Sequence, residues 1–127
     1  MPANRAETPP LSQILPAAGA RVEFKMVVAY LRETLGTTLV ALIGGVTGES
    51  VGRWATGANE PPLAVEQRIR DAYDIFRLLV ETDAPSTARA WFMGMNPQLD
   101  DLSPIEALAE GQRREVLAAA RAFTAGA

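Results

Sequence analysis

Between Val22 and Leu35, apolar residues return at helical intervals. Val27, Tyr30, Leu31 and Leu35 stand at i, i+3, i+4 and i+8, which winds them onto one stripe. Gly36 ends that helix, and Thr37 or Thr38 is placed to cap the next. The second helix is short and is expected to carry Leu39, Leu42 and Ile43 inward. Gly44 and Gly45 then offer the positive φ that a tight turn requires. Thr47 is placed to cap a third helix, which Gly57 stops.

Pro61 and Pro62 cannot continue a helix but can begin one. The segment from Leu63 to Glu81 has the strongest helical pattern in the chain. Val65, Ile69, Ala72, Phe76 and Leu79 form its apolar stripe. Glu66, Arg70, Asp74, Arg77 and Glu81 alternate in sign at spacings of three and four, which reads as a solvated ladder. Asp83 and Pro85 open a further helix carrying Ala88, Trp91 and Phe92, closed by Gly94 and Pro97. Asn96 before Pro97 favours a turn. Ser103-Pro104-Ile105-Glu106 is a capping box with Pro at the first helical position, and its short helix ends at Gly111. A last helix is expected to bury Val116, Ala120 and Phe123. No segment alternates convincingly as a strand would, so the expected fold class is all-α.

The remaining residues, 1–20, hold Pro2, Pro9, Pro10 and Pro16, a composition that reads as a flexible tail. Leu11, Ile14 and Leu15 within it are spaced for one short docking turn. The expected organisation is therefore a tail over 1–20, a helix-turn-helix bundle over 21–62 and a second helical domain over 63–127. No window approaches the roughly 18 apolar residues that a membrane helix needs. No basic start with a following apolar run marks a secretory signal, so the expected location is the cytoplasm.

Cysteine and histidine are both absent. Disulfides, thiolate catalysis and Cys or His metal sites are thereby excluded. Acid–base chemistry would fall to carboxylates, Tyr30, Tyr73 or the single lysine, Lys25. Asp100 and Asp101 are adjacent acids, but they lie in a turn where both are expected to be solvated. The residues call for no enzyme activity, no cofactor and no metal. The net charge of −3 argues against wholesale coating of nucleic acid, though not against a local contact made by a dimer.

The glycine-rich stretch from Gly44 to Gly57, GGVTGESVGRWATG, is not a phosphate loop. Such a loop needs Lys and then Ser or Thr after its last glycine, and Glu49 stands where that Lys should be. Wound as a helix, Gly48 to Thr56 gathers Val51, Trp54 and Ala55 on one face. Glu49, Gly52, Arg53 and Thr56 gather on the other. A short apolar helix, a glycine turn and a short helix with a polar face is the plan of a helix-turn-helix. On that plan Thr47, Glu49, Ser50, Arg53 and Thr56 are the DNA-facing candidates, with Arg53 able to meet guanine or phosphate. Any helical bundle can also contain two short helices joined by such a turn. Residues 21–57 carry four basic and three acidic side chains, a balance of +1, so this surface alone should hold DNA feebly.

Two motifs together resemble a known family. The first is LVALIGGVTGESVGRWATGANEPP, in which Val51, Arg53, Trp54, Gly57 and Pro61 are similar to an Xre-type helix-turn-helix. The second runs from Ala88 through the last helix. There Trp91, Asn96, Pro97, Leu99, Ser103, Pro104, Leu108 and Gly111 match in order the toxin-binding domain of the Xre/MbcA/ParS antitoxins. The resemblance covers about residues 22–125. It implies an antitoxin of a type II toxin–antitoxin pair that binds a RES-domain, NAD-depleting toxin encoded nearby. It also implies a homodimer that binds operator DNA and represses its own operon. The chain departs from the family in a recognition face poor in basic and amide side chains, and in its Pro-rich tail.

The toxin-binding candidates are Trp91, Asn96, Arg113, Arg114, Arg121 and Phe123. Trp91 and Asn96 read more readily as scaffold than as contact. The three arginines lie beyond Gly111 on an otherwise acidic half, and arginine suits interfaces because its planar fork binds carboxylate and phosphate. They can instead complement a helix C-terminus or pair with Asp100 and Asp101. A cationic arm would also suit the phosphates of an NAD pocket. The competing function is a stand-alone helix-turn-helix transcriptional regulator.

Overall fold

The computed structural model describes residues 21–126. Over these the chain is all-α, in the order α1 (Phe24–Thr34), α2 (Thr37–Gly44), α3 (Gly48–Thr56), α4 (Leu63–Leu79), α5 (Pro85–Met93), a 3₁₀ turn (Pro97–Leu99), α6 (Pro104–Ala109) and α7 (Arg113–Thr124). The stretch 1–20, with its expected docking turn at Leu11, Ile14 and Leu15, lies outside the described residues. No strand occurs among those described, and no helix there is long and apolar enough to cross a membrane.

One apolar core runs through the described chain and does not divide at residue 62. Its axis is α4, which packs against α1 and α2 on one side and against α5, α6 and α7 on the other. Burial on both sides explains why α4 hides Tyr73 and Ile75 as well as the expected Ile69, Ala72, Phe76 and Leu79. Val65, at the open start of the helix, is only half-buried. Phe76 stacks on Phe92 of α5, with ring centroids 5.8 Å apart, and takes the edge of Tyr30 at 5.9 Å. Such pairs add about 1 kcal/mol each beyond the area they bury. Burial also pushes the Tyr30 phenol above its ordinary pKa, against the pull of the nearby Arg77 charge.

The short-range signals set the helix ends. The Thr47 hydroxyl accepts from the Ser50 amide at 3.2 Å, and Gly57 closes α3 in the left-handed region, at φ 79°. Ser103 and Glu106 complete a reciprocal capping box, and Asn96 accepts from the Gln98 amide at 2.9 Å. One expected cap is absent. Gly36, at φ 96°, precedes α2 directly, and the Thr37 hydroxyl instead accepts from Arg32 Nε at 3.3 Å.

Three sequence expectations are corrected. Leu42 is 55% exposed, because α2 is wedged between α4 and α6 and turns Val40, Ala41, Ile43 and Gly44 inward instead. Phe123 is 37% exposed and leans on Trp91, since α7 ends at the rim of the bundle. The charged ladder of α4 is not simply solvated. Arg70 bonds Glu66 at 2.8 Å with only 13% of its side chain exposed. It also donates to the Val22 carbonyl at 2.7 Å and lies over the Phe24 ring, so it anchors the start of α1. Arg77 lies over the Tyr30 and Tyr73 rings.

Asp71 is the one buried carboxylate among the described residues. It accepts from Gln67 Nε2 and from Arg113 Nε, both at 2.9 Å, and so ties the start of α7 to α4. Replacing it with alanine removes the acceptor of two bonds from a dry site. Asp71→Ala is expected to lower stability by about 1–3 kcal/mol in urea titration. Arg113→Ala should cost less, about 1 kcal/mol, because that side chain is partly solvated.

Asp74 adds a pH test. Its side chain is 56% exposed, and its partial burial raises its pKa, with Arg113 opposing the rise and Asp71 adding to it. A raised folded-state value means that ionised Asp74 opposes folding at neutral pH, and that the opposition fades as pH falls through the carboxylate range. Asp74→Asn should therefore be more stable than the unsubstituted chain at pH 7. The difference should vanish in melts well below pH 4.

Candidate functional site

Two surfaces hold the residues expected to act. The first is the α2–turn–α3 unit. The Gly45 turn, at φ 68°, sends α3 across α1 and α2, where Val51 and Trp54 plug into the core and Trp54 meets Phe24. Glu49, Arg53 and Thr56 are left exposed on the opposite face, with Ser50 half-buried at its edge and Thr47 exposed at its start. This brings the five DNA-facing candidates together on one open surface.

Their polar groups already bond to their own helix. The Thr47 hydroxyl caps α3 and also donates to Ser50 Oγ at 3.3 Å. Thr56 Oγ1 donates to the Arg53 carbonyl at 3.0 Å. The Arg53 guanidinium leans toward Glu49, 3.8 Å away, so the one cation of the face has an acid beside it. A Cβ placed on Gly52 would meet nothing within 4 Å, leaving a gap in the middle of the face. The face is open to solvent, while its charge is close to neutral.

The second surface lies on the C-terminal half, and it separates the six toxin-binding candidates. Asn96 serves its turn, its side chain on the Gln98 amide and its carbonyl on the Leu99 and Asp101 amides. Arg113 is drawn onto Asp71, with Asp74 at 3.8 Å, and not onto Asp100 or Asp101. Those two acids are exposed in the turn before α6, both with positive φ. Trp91 and Phe123 come together at the rim, ring centroids 6.1 Å apart, with Trp91 also edge-on to Phe92. Arg114 and Arg121 are exposed on the outer side of α7.

Several features escaped the sequence reading. Met93 and Met95 are 49% and 76% exposed beside the Trp91 helix end, and Leu63 is 76% exposed at the start of α4. Apolar residues flanking Gly94 out of phase with Trp91 and Phe92 were the available signal. Arg68 donates to the Ile43 and Gly44 carbonyls at 3.1 and 2.9 Å, closing the C-terminal end of α2. Arg89 does the same for the Leu35 carbonyl of α1 at 3.1 Å. These bonds span 24 to 54 residues, and no local pattern announces them.

An open cleft of about 270 Å³ lies between Glu23, Phe24 and Lys25 at the start of α1 and Gly57, Asn59 and Glu60 after α3. Its lining mixes two acids with one cation. Among the described residues no three acidic side chains converge closely enough to hold a metal ion.

No known family's sequence profile matches the chain, and no curated protein matches it in sequence. Among solved structures, the fold is similar to that of a chain in the crystal structure of the M. tuberculosis MbcT–MbcA toxin–antitoxin complex, with a TM-score of 0.70 and 26% identity, over 84% of this chain and 97% of that one.

Proposed function

We propose that this chain is an antitoxin, a protein that binds a toxin and blocks it by covering it, with no catalysis of its own. The observation that carries this reading is the similarity to a chain of a toxin–antitoxin complex over 97% of that chain's length, which takes in both halves of the present fold. The distribution of titratable groups supports it. The bonded acids and arginines serve helix ends, the α4–α7 joint and carbonyls of distant helices. The C-terminal half offers a partner an aromatic rim, Trp91 with Phe123, beside exposed Met93 and Met95. Aromatic and Met side chains at a rim are typical anchors of protein interfaces.

The finer reading follows the sequence resemblance. The partner is a RES-domain, NAD-depleting toxin encoded beside this chain, and Trp91, Asn96, Arg113, Arg114, Arg121 and Phe123 are the residues carried forward as its binding candidates. Homodimer formation and autorepression through α3 belong to the same reading. Thr47, Glu49, Ser50, Arg53 and Thr56 would face the operator. Arg53 stands beside Glu49, however, so phosphate contacts are few, and stand-alone transcriptional regulation has less behind it than toxin binding.

Co-expression with the adjacent RES-domain protein tests the proposal. Growth should be rescued, and the two proteins should co-purify. Growth arrest without co-purification would sink it. Phe123→Ala should weaken the complex about tenfold with little change in melting temperature, because its ring is already partly in water. On a duplex carrying its own upstream sequence, the chain should bind weakly and lose that binding steeply as salt rises from about 50 to about 200 mM.

A further inference from the structure

Arginine in this fold mostly holds the chain to itself. Arg68 and Arg89 tie down carbonyls of distant helices, Arg70 does the same at the start of α1, and Arg113 grips Asp71. Arg114 and Arg121 differ. Among the described residues their guanidinium groups make no hydrogen bond and no ion pair.

At 100° per residue, Arg114, Ala118 and Arg121 fall within one narrow arc of α7, opposite the arc buried by Val116, Ala119 and Ala120. All three are exposed. Seven residues at 1.5 Å each set the two arginines about 10 Å apart along the axis. Ala118 between them leaves the helix surface low, so a partner backbone can come close. Glu115, the nearest acid on the helix, points about 100° away from the stripe.

We infer that this stripe, together with the aromatic rim, reads the toxin, and that the toxin surface the stripe meets presents side-chain carboxylates. The inference rests on the antitoxin reading and gives it a chemistry. A guanidinium with both edges free takes a carboxylate through two parallel bonds. The chain as a whole carries −3, so an acidic partner is repelled from most of its surface and attracted along this stripe. Register and orientation then follow from two cations two turns apart on one helix. Arg113, one residue earlier, is held on Asp71 and fixes α7 on α4.

The test is calorimetric titration of the full chain into the RES-domain protein encoded beside it. Arg114→Glu and Arg121→Glu should each weaken binding about tenfold, and together about a hundredfold, with melting temperatures unchanged. Unsubstituted binding should weaken with added salt, and the charge-reversed double variant should instead bind more tightly as salt screens the new repulsion. Reversing the facing toxin carboxylates to lysine should restore the double variant. Binding by the double variant within about twofold of the unsubstituted chain overturns the inference and leaves the antitoxin reading standing. Displacement of the unsubstituted chain by millimolar inorganic pyrophosphate also overturns it, by making the counter-groups phosphates. If the unsubstituted chain does not bind, both readings fall.

Discussion

A helix covered over most of its circumference must be surrounded, and that requirement organises this chain. α4 presents apolar side chains to α1 and α2 on one flank and to α5, α6 and α7 on the other. One half of the sequence cannot cover both flanks. The turn-helix unit and the C-terminal helices therefore share a single core, and each is oriented through the same central rod. The aromatic chain from Tyr30 through Phe76 to Phe92 runs across that rod, so packing continues from α1 to α5 without a seam.

The readable part of the fold was its local chemistry. Thr47, Asn96 and the Ser103–Glu106 pair act on amides two or three residues away, and their spacing alone reveals them. The helices themselves were legible for the same reason, through the 3.6-residue period of their buried stripes. The phase of α2 was not legible. A sequence with five apolar residues and no charge in eight positions has no polar side to mark the solvent, so Leu42 and Val40 were equally good inward candidates. Tertiary contact with α4 and α6 chose between them.

The candidate sites were legible as positions and less so as roles. The sequence placed three arginines after Gly111 but could not divide them, because the division depends on Asp71, forty-two residues away in the chain. The same holds for Arg70, a ladder residue by spacing and an anchor of α1 by bonding. On α3 the reading of one polar face was complete in its residues. The closeness of Arg53 to Glu49 follows from their i, i+4 spacing and makes that face nearly neutral.

Gly52 lies at the centre of that neutral face, with open space where a side chain would be. The residues that seat α3, Val51 and Trp54, point the other way. The side that seats α3 and the side it shows to solvent are thus separate faces of one short helix. A single codon change at Gly52 can install a new side chain on the open face while the scaffold beneath keeps its shape.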